Sequence, residues 1–368
     1  MPASLSAPSK GSGRPATLAD VGRAAGVSAM AASAVLNRAQ TSARISSPTR
    51  ARILAAAEHL HYRPNAAARA LAERRMNTLG VAAVVVGGEL DHYFLAVFNG
   101  VLDAAAKQGQ NTTVFALANW DRDAVRLPEL CDGRIDGLIL IAPTFSKVVP
   151  RFLPEHTPFA ALHPNIPIPG CVNIESAEEA GAFEMVRQMI ARGHRRIMHI
   201  SGNRGLLGAE RRIQGYQRAH AAAGIPLDPA LLIDGEFSWR SGRRVLRRWL
   251  SQSVGQPLPD AIFCCCDANA VGCLEALAEA GIRVPEDVSL VGFDDTLAAR
   301  TTVPQLTTVR QPLRSMGVHA VEALLAQIQQ KNGEAPPEVR ETVIFPTETV
   351  WRASASAPAQ VRRLVPAR

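Results

Sequence analysis

No run of about eighteen apolar residues occurs anywhere in the 368-residue sequence, which excludes a membrane-spanning helix of ordinary length. The opening MPASLSAPSKGSGRPA lacks the apolar stretch of a secretory leader, so the chain is expected in the cytoplasm, with no membrane partner. It reads instead as a disordered arm over 1–15. Cysteine is sparse and carries no C-x-x-C pair and no zinc spacing. Cys264, Cys265 and Cys266 are consecutive in an apolar run, Cys273 falls on a predicted helix, and Cys131 and Cys171 stand alone. Buried thiols acting as small hydrophobes are expected, with a redox or metal sensor at 264–266 as the alternative. A P-loop, a G-x-S-x-G elbow and an H-E-x-x-H helix are all missing, which argues against an α/β enzyme. No cofactor or metal is expected.

Charge is present, and it is concentrated. Residues 1–76 hold eleven Lys and Arg against three acids, a net of +8, while the whole chain carries +7. The remaining residues therefore sum to −1. A basic head on a near-neutral body is the electrostatic footprint of a nucleic-acid module joined to something else.

Within the head, Thr17 and Asp20 have the spacing of a capping box, and Leu18, Val21 and Ala25 follow at helical intervals. Gly26 supplies a turn, and Ser28 can cap a second helix running through Asn37. Two short helices across a tight turn form a helix-turn-helix, whose second helix fits the DNA major groove. A third helix is predicted from about Pro48 to Leu60, with Ile53, Leu54, Ala57 and Leu60 inward. A plain three-helix bundle with a solvated basic face is the alternative.

TLADVGRAAGVS…VLN, TRARILAAAEHLHYRPN and ARAL resemble the DNA-binding head of the lactose/galactose-repressor family, and the resemblance continues to about residue 350. It implies that residues 29, 30 and 34 face base edges. The family's usual Thr-Val-Ser-Arg, after two variable residues, is here Ala31, Ala32, Ser33 and Ala34. Ala29, Met30 and Ala34 are all apolar, so thymine methyls are the implied targets and bidentate guanine readout at 34 is lost. Ser28, Ser33 and Asn37 are candidate phosphate contacts, and Thr17 and Arg50 complete the DNA-contacting set. In the linker the resemblance implies a hinge helix at 64–76. There Leu71 wedges into the minor groove, with Asn65 and Ala68 on the DNA side. Packing of Leu71 on the body is the alternative.

From Leu79 onward, apolar strands alternate with amphipathic helices. LGVAAVVV, TTVFAL, GLILIA and PFAAL form one set; RIMHIS, LLID, AIFCC and VSLVGF form a second. This pattern means two doubly wound parallel-sheet lobes with ligands at the C-terminal strand ends. The expected fold is thus an all-α helix-turn-helix head over 16–63, the hinge, and an α/β core over 77–351 resembling periplasmic sugar-binding proteins. The first lobe is expected over about 77–174 plus 309–338, and the second over about 175–308 plus 339–351. VIFPTETV is expected to close the second lobe, and 352–368 to be a flexible tail.

The resemblance also implies an effector site between the lobes. Arg212 in ERRIQGY reaches into the cleft, and Asp294 in VGFDD accepts bonds from ligand hydroxyls or N–H groups. Tyr93 and Phe94 line the cleft, Phe237 stacks on the ligand, and Asp267 follows a strand of the second lobe. Cys266 replaces the Asn common before that Asp, against a pentose or galactoside. An interlobe Arg212–Asp294 salt bridge, or core roles for Tyr93 and Phe237, are the alternatives; Trp239 and His163 are weaker candidates. The implied function is a dimeric transcriptional repressor on a pseudo-palindromic operator in double-stranded DNA, controlled by a sugar or related metabolite. A cytoplasmic solute-binding protein and a regulator controlled by a protein corepressor are the competing readings.

Overall fold

The computed structural model describes residues 14–36, 45–64, 75–85, 91–144, 153, 156–330 and 342–358. The chain divides into two compact units, Met1–Met76 and Asn77–Arg368.

In the first unit, α1 (Leu18–Ala25) begins at a complete capping box. Thr17 Oγ1 accepts from the Asp20 amide, and the Asp20 carboxylate accepts from the Thr17 amide at 3.0 Å. Gly26 ends the helix at φ 67°, and α2 (Ala29–Leu36) follows, with Ser28 Oγ accepting from the Ala31 amide. Helix α3 (Ser47–His59) carries Pro48 in its first turn, where its missing N–H has no helical partner. Val21, Ala25, Ala32, Val35, Ile53 and Ala57 close one core between the three helices. Leu54, expected inward, is instead 50% exposed. Ile53 and Ala57 are one turn apart and take the inward stripe, which rotates their neighbour Leu54 outward.

The turn is tight enough to exclude a side chain at Gly22. A Cβ there would meet the Val27 carbonyl oxygen at 2.9 Å and the Ala29 nitrogen at 3.1 Å. Gly22→Ala is expected to weaken the head by about 1–3 kcal/mol through overpacking. Hydrogen exchange of the α1 and α2 amides checks this, and unchanged protection would disprove the close approach.

The second unit holds two sheets. Strands β1 (Thr78–Val84), β2 (Asn111–Leu117), β3 (Gly137–Ile141), β4 (Phe159–Leu162), β5 (Val172–Ser176) and β11 (Val343–Phe345) lie in the order β11-β5-β4-β3-β1-β2, all parallel. The other sheet contains β6 (Ile197–Ile200), β7 (Leu232–Ile233), β8 (Ala261–Cys264), β9 (Ser289–Asp294), β10 (Thr307–Arg310) and β12 (Glu348–Val350). Its order is β12-β10-β9-β8-β6-β7, with only the β10–β12 pairing antiparallel. Helices α4 (His92–Lys107) and α9 (Leu313–Gln330) pack together on the first sheet. Helices α5 (Glu178–Ala191) and α6 (Leu207–Ala222) cover one face of the second, and α7 (Trp239–Gln252) and α8 (Asp267–Glu279) the other.

Three expectations about the lobes are corrected. VIFPTETV is split: β11 pairs with β5 in the first lobe and only β12 closes the second. The first lobe extends through Ser176, and the return crossover follows β10, a second-lobe strand, so the boundaries at 174 and 309 shift. The described part of the tail is built in: Ser354 is fully buried, its hydroxyl donates to Leu290 O at 2.6 Å and accepts from the Thr307 amide at 2.8 Å. Among the described residues, no helix is long and apolar enough to cross a membrane.

Candidate functional site

Both sheets reverse their winding direction beside their first strand, between β1 and β3 and between β6 and β8, where crossovers leave to opposite faces and open a crevice. A cavity of about 190 Å³ lies at these strand ends. The first lobe supplies Tyr93 from α4, Thr144 after β3, and His163 and Asn165 after β4; the second supplies Arg212, Phe237 and Asp294. Several strand-end residues take positive φ: Ala142 at 48°, His163 at 46°, Asp294 at 117° and Asp295 at 58°. Such conformations are costly for residues other than glycine and concentrate at ligand clamps.

Arg212 projects from α6 and is buried, with both terminal nitrogens engaged and Nε without a hydrogen-bond partner among the described residues. Its Nη2 lies 2.8 Å from Glu178 Oε1 and 3.8 Å from Asp294 Oδ1, while Nη1 donates to the Cys265 carbonyl. Its guanidinium lies 3.9 Å from the Phe293 ring centroid and 5.2 Å from that of Phe237. Arg211 pairs with Glu175 at 2.6 Å. Burial is the largest single influence on the Glu178 pKa and raises it, but the attraction and hydrogen bond of Arg212, with His163 and Arg211, together outweigh it and the net shift is downward. Asp294 goes the other way. Burial raises its pKa well above the usual carboxylate range, because Arg212 is a full ångström closer to Glu178. Phe237 presses its ring against Gly202, where a Cβ would lie 2.4 Å from the ring, so that glycine sets how deep the aromatic wall sits.

Of the effector residues expected from sequence, Tyr93, Arg212, Phe237 and Asp294 meet at this cavity. Phe94 does not. It points into the first-lobe core and stacks on Phe98 at 5.3 Å, because its neighbour Tyr93 takes the cleft-facing position of α4. Asp267 is also a correction. It is fully buried behind the cavity, accepting from the Thr296 amide at 2.7 Å and the Thr308 hydroxyl at 2.6 Å, while its neighbours Cys266 and Ala268 reach the lining. Trp239 lies away from the cavity on an arginine-rich face of α7. Glu178 and Asn165 belong to the lining and were not singled out from sequence. The six cysteines are free and buried, and Cys264 and Cys273 lie 3.6 Å apart, sulfur to sulfur.

On the head, Ser28, Ala29, Met30 and Arg50 are exposed, Met30 at 81%. Thr17 is half-buried and occupied as the α1 cap. Ser33 is half-buried, and Ala34, expected on the base-facing surface, is 8% exposed, so the open face of α2 consists of Ala29 and Met30. Asn37, Asn65, Ala68 and Leu71 lie outside the described residues.

Residues 17–65 match the family described as bacterial regulatory proteins, lacI family, and residues 186–355 match the periplasmic binding protein-like domain. The HTH-type transcriptional repressor PurR of Aliivibrio fischeri strain MJ11 is 30% identical over 325 residues, covering 87% of this chain and 94% of that protein. The HTH-type transcriptional regulator GalR of Salmonella typhimurium strain SL1344 is 34% identical over 355 residues, covering 95% and 98%. A solved structure of the lac repressor dimer bound to operator and the anti-inducer ONPF aligns with a TM-score of 0.79 at 26% identity, covering 94% of this chain and all of that one. The chain belongs to the lactose/galactose-repressor (LacI) family, and it is a DNA-binding transcriptional regulator.

Proposed function

We propose that this regulator acts in the cytoplasm as a homodimeric repressor on a pseudo-palindromic operator, and that a small ligand held between its lobes sets its affinity for that DNA. The observation that carries the reading is the cavity of about 190 Å³, with Tyr93 and His163 on one wall and Arg212, Phe237 and Asp294 on the other. An apolar cavity of about 150 Å³ holds a benzene ring. The space here therefore suits one substituted six-membered ring, such as a sugar or related metabolite. A ligand that touches both lobes binds their alternative arrangements unequally, and only that difference can shift the regulator between states.

On the DNA side, Ala29 and Met30 offer apolar surface for thymine methyls, with Ser28, Ser33, Thr17 and Arg50 near phosphates. Asn37, Asn65, Ala68 and Leu71 complete the proposed contacts. The dimer and its operator follow the lac repressor dimer, which is bound to operator in its crystal structure.

A thermal-shift screen with sugars, sugar phosphates and purines tests ligand control. A true ligand at a hundred times its dissociation constant adds about 2.7 kcal/mol of stability. The same compound is expected to change affinity for duplexes selected in vitro by the protein. A panel without a single shift, or a shift that leaves DNA affinity untouched, would remove ligand control from the reading.

A further inference from the structure

A continuous line of hydrogen bonds joins the two lobes behind the cavity. Tyr93 Oη lies 2.6 Å from His163 Nδ1, and His163 Nε2 lies 3.1 Å from Ser176 Oγ. The Ser176 hydroxyl donates to Gln311 Oε1, and Gln311 Nε2 donates to Asp294 Oδ1 at 2.6 Å. Ser176 ends β5 and Gln311 follows β10, so both sit where the chain passes between lobes. Ser176, Gln311 and Asp294 are each at most 5% exposed, so water does not replace these bonds.

The chemistry of each group fixes the direction of the whole line. Gln311 faces a carboxylate with one end of its amide; its nitrogen must be that end, since two oxygen acceptors would repel. Its carbonyl oxygen then faces Ser176 and can only accept, which commits the single serine proton. Ser176 Oγ has only lone pairs left for His163, so Nε2 must carry a hydrogen. Burial holds the His163 pKa down to about 4, so the ring is neutral and its other nitrogen is bare. Nδ1 therefore accepts, and the donor is the Tyr93 hydroxyl, which burial keeps protonated. Burial raises the Asp294 pKa, but Oδ1 is the oxygen that faces Arg212 Nη2 at 3.8 Å, so a proton belongs on Oδ2, which leaves Oδ1 an acceptor and the direction unchanged.

We propose that Tyr93, His163, Ser176, Gln311 and Asp294 form a one-way hydrogen-bond relay that fixes His163 as its Nε2–H tautomer and leaves Tyr93 Oη only lone pairs to offer the cavity. His163, Ser176 and Gln311 are positioning residues. The consequence for the ligand rests on the cavity being the effector site: the ligand must bring a hydroxyl or N–H to Tyr93. Asp91 lines the same wall and adds another acceptor. The arginines opposite are already paired with Glu175 and Glu178, so an anion entering there would meet two carboxylates beside the guanidiniums, whereas Arg212 Nε, without a partner among the described residues, can serve a neutral acceptor. The relay therefore selects neutral, donor-bearing rings over phosphate esters and carboxylates.

Full-length protein labelled with 15N at histidine reports the tautomer directly by long-range proton–nitrogen NMR, with His163 assigned from its loss in His163→Gln. A protonated Nε2 and a bare Nδ1 are expected. A protonated Nδ1 in the wild-type protein overturns the relay, the His163→Gln variant serving only for assignment. Ser176→Ala is expected to release the ring into a tautomer mixture and Ser176→Thr to restore the single form. A folded Ser176→Ala protein with an unchanged tautomer also overturns it. The readout needs no ligand. A wrong tautomer sinks the relay and leaves ligand control standing, whereas a silent ligand panel sinks ligand control alone.

Discussion

Arg212→Met is expected to destabilise the core by about 3–5 kcal/mol at neutral pH, because it strands a buried carboxylate. Glu178 is 4% exposed, its Oε1 sits 2.8 Å from the guanidinium, and its other oxygen is 3.7 Å from Arg211, which is mainly engaged with Glu175. The Cys265 carbonyl loses its Arg212 donor as well. The pH dependence has a definite sign. In the parent, Glu178 has a lowered pKa, so its pairing stabilises the fold above the ordinary carboxylate pKa and is lost on acidification. Without Arg212, burial, the largest influence, is opposed only by His163 and the more distant Arg211, and it raises the pKa. Stability is then fully present below the unfolded-state value and falls as pH rises. The deficit of the variant should therefore be largest at neutral pH and shrink toward pH 4. Denaturant unfolding at both pH values measures it; a deficit that does not change with pH would mean Glu178 finds another partner.

A second substitution separates the two roles of the arginine. Arg212→Met combined with Glu178→Leu removes both charges, and replacing a buried pair with apolar groups is often close to neutral for stability. The double variant should regain most of the loss. It should remain unresponsive to any ligand that shifts the parent, because the cavity has lost its charged post.

The contrast between Arg212 and Glu178 shows what the sequence could reveal. Strands read as continuous apolar runs, and GLILI is a buried strand with no polar residue to disguise it. Strand β5 is equally buried but reads VNIES, a stretch with no continuous apolar run to mark it as a strand. Asn173 bonds the nearby Ile168 backbone, but Glu175 and Ser176 are satisfied by groups far along the chain, Arg211 and Gln311. No local spacing encodes those partners. Glu178 escaped notice for the same reason, since it meets an arginine 34 positions later across a helix pair. Family resemblance placed Arg212 and Asp294 at the cavity, but it could not settle which of two adjacent side chains faces it. Phe94 and Asp267 were lost to neighbours through rotation about a helix or strand end. The burial of Ser354 is not legible in sequence, because an Ala/Pro-rich stretch has the composition of a tail while its hydroxyl bridges two segments far away in sequence.

Acid sensitivity supplies the other large effect. His199 lies on β6, fully buried, its ring stacked on Phe263 at 4.9 Å and Tyr216 at 5.3 Å. Nδ1 donates to the Phe263 carbonyl at 2.9 Å, and Nε2 is buried with no partner among the described residues. Burial dominates and lowers its pKa to about 4, from an ordinary 6.5. A histidine depressed in the fold binds its proton more readily when unfolded. Its neutral form thus contributes stability that is intact above about pH 6.5 and lost as pH falls toward 4. Over the step from pH 7 to pH 5 that amounts to roughly 2 kcal/mol for this one residue. His163, also lowered to about 4, adds a similar loss, while Asp267, raised to about 6, offsets part of both by taking up a proton in the folded state. His199→Phe keeps the aromatic stack and removes the titrating group. It is expected to be close to the parent at pH 7.5 and to lose about 2 kcal/mol less on going to pH 5. Parallel unfolding curves for the two proteins across that range would mean that acid loss arises elsewhere, with His163 as the next residue to replace.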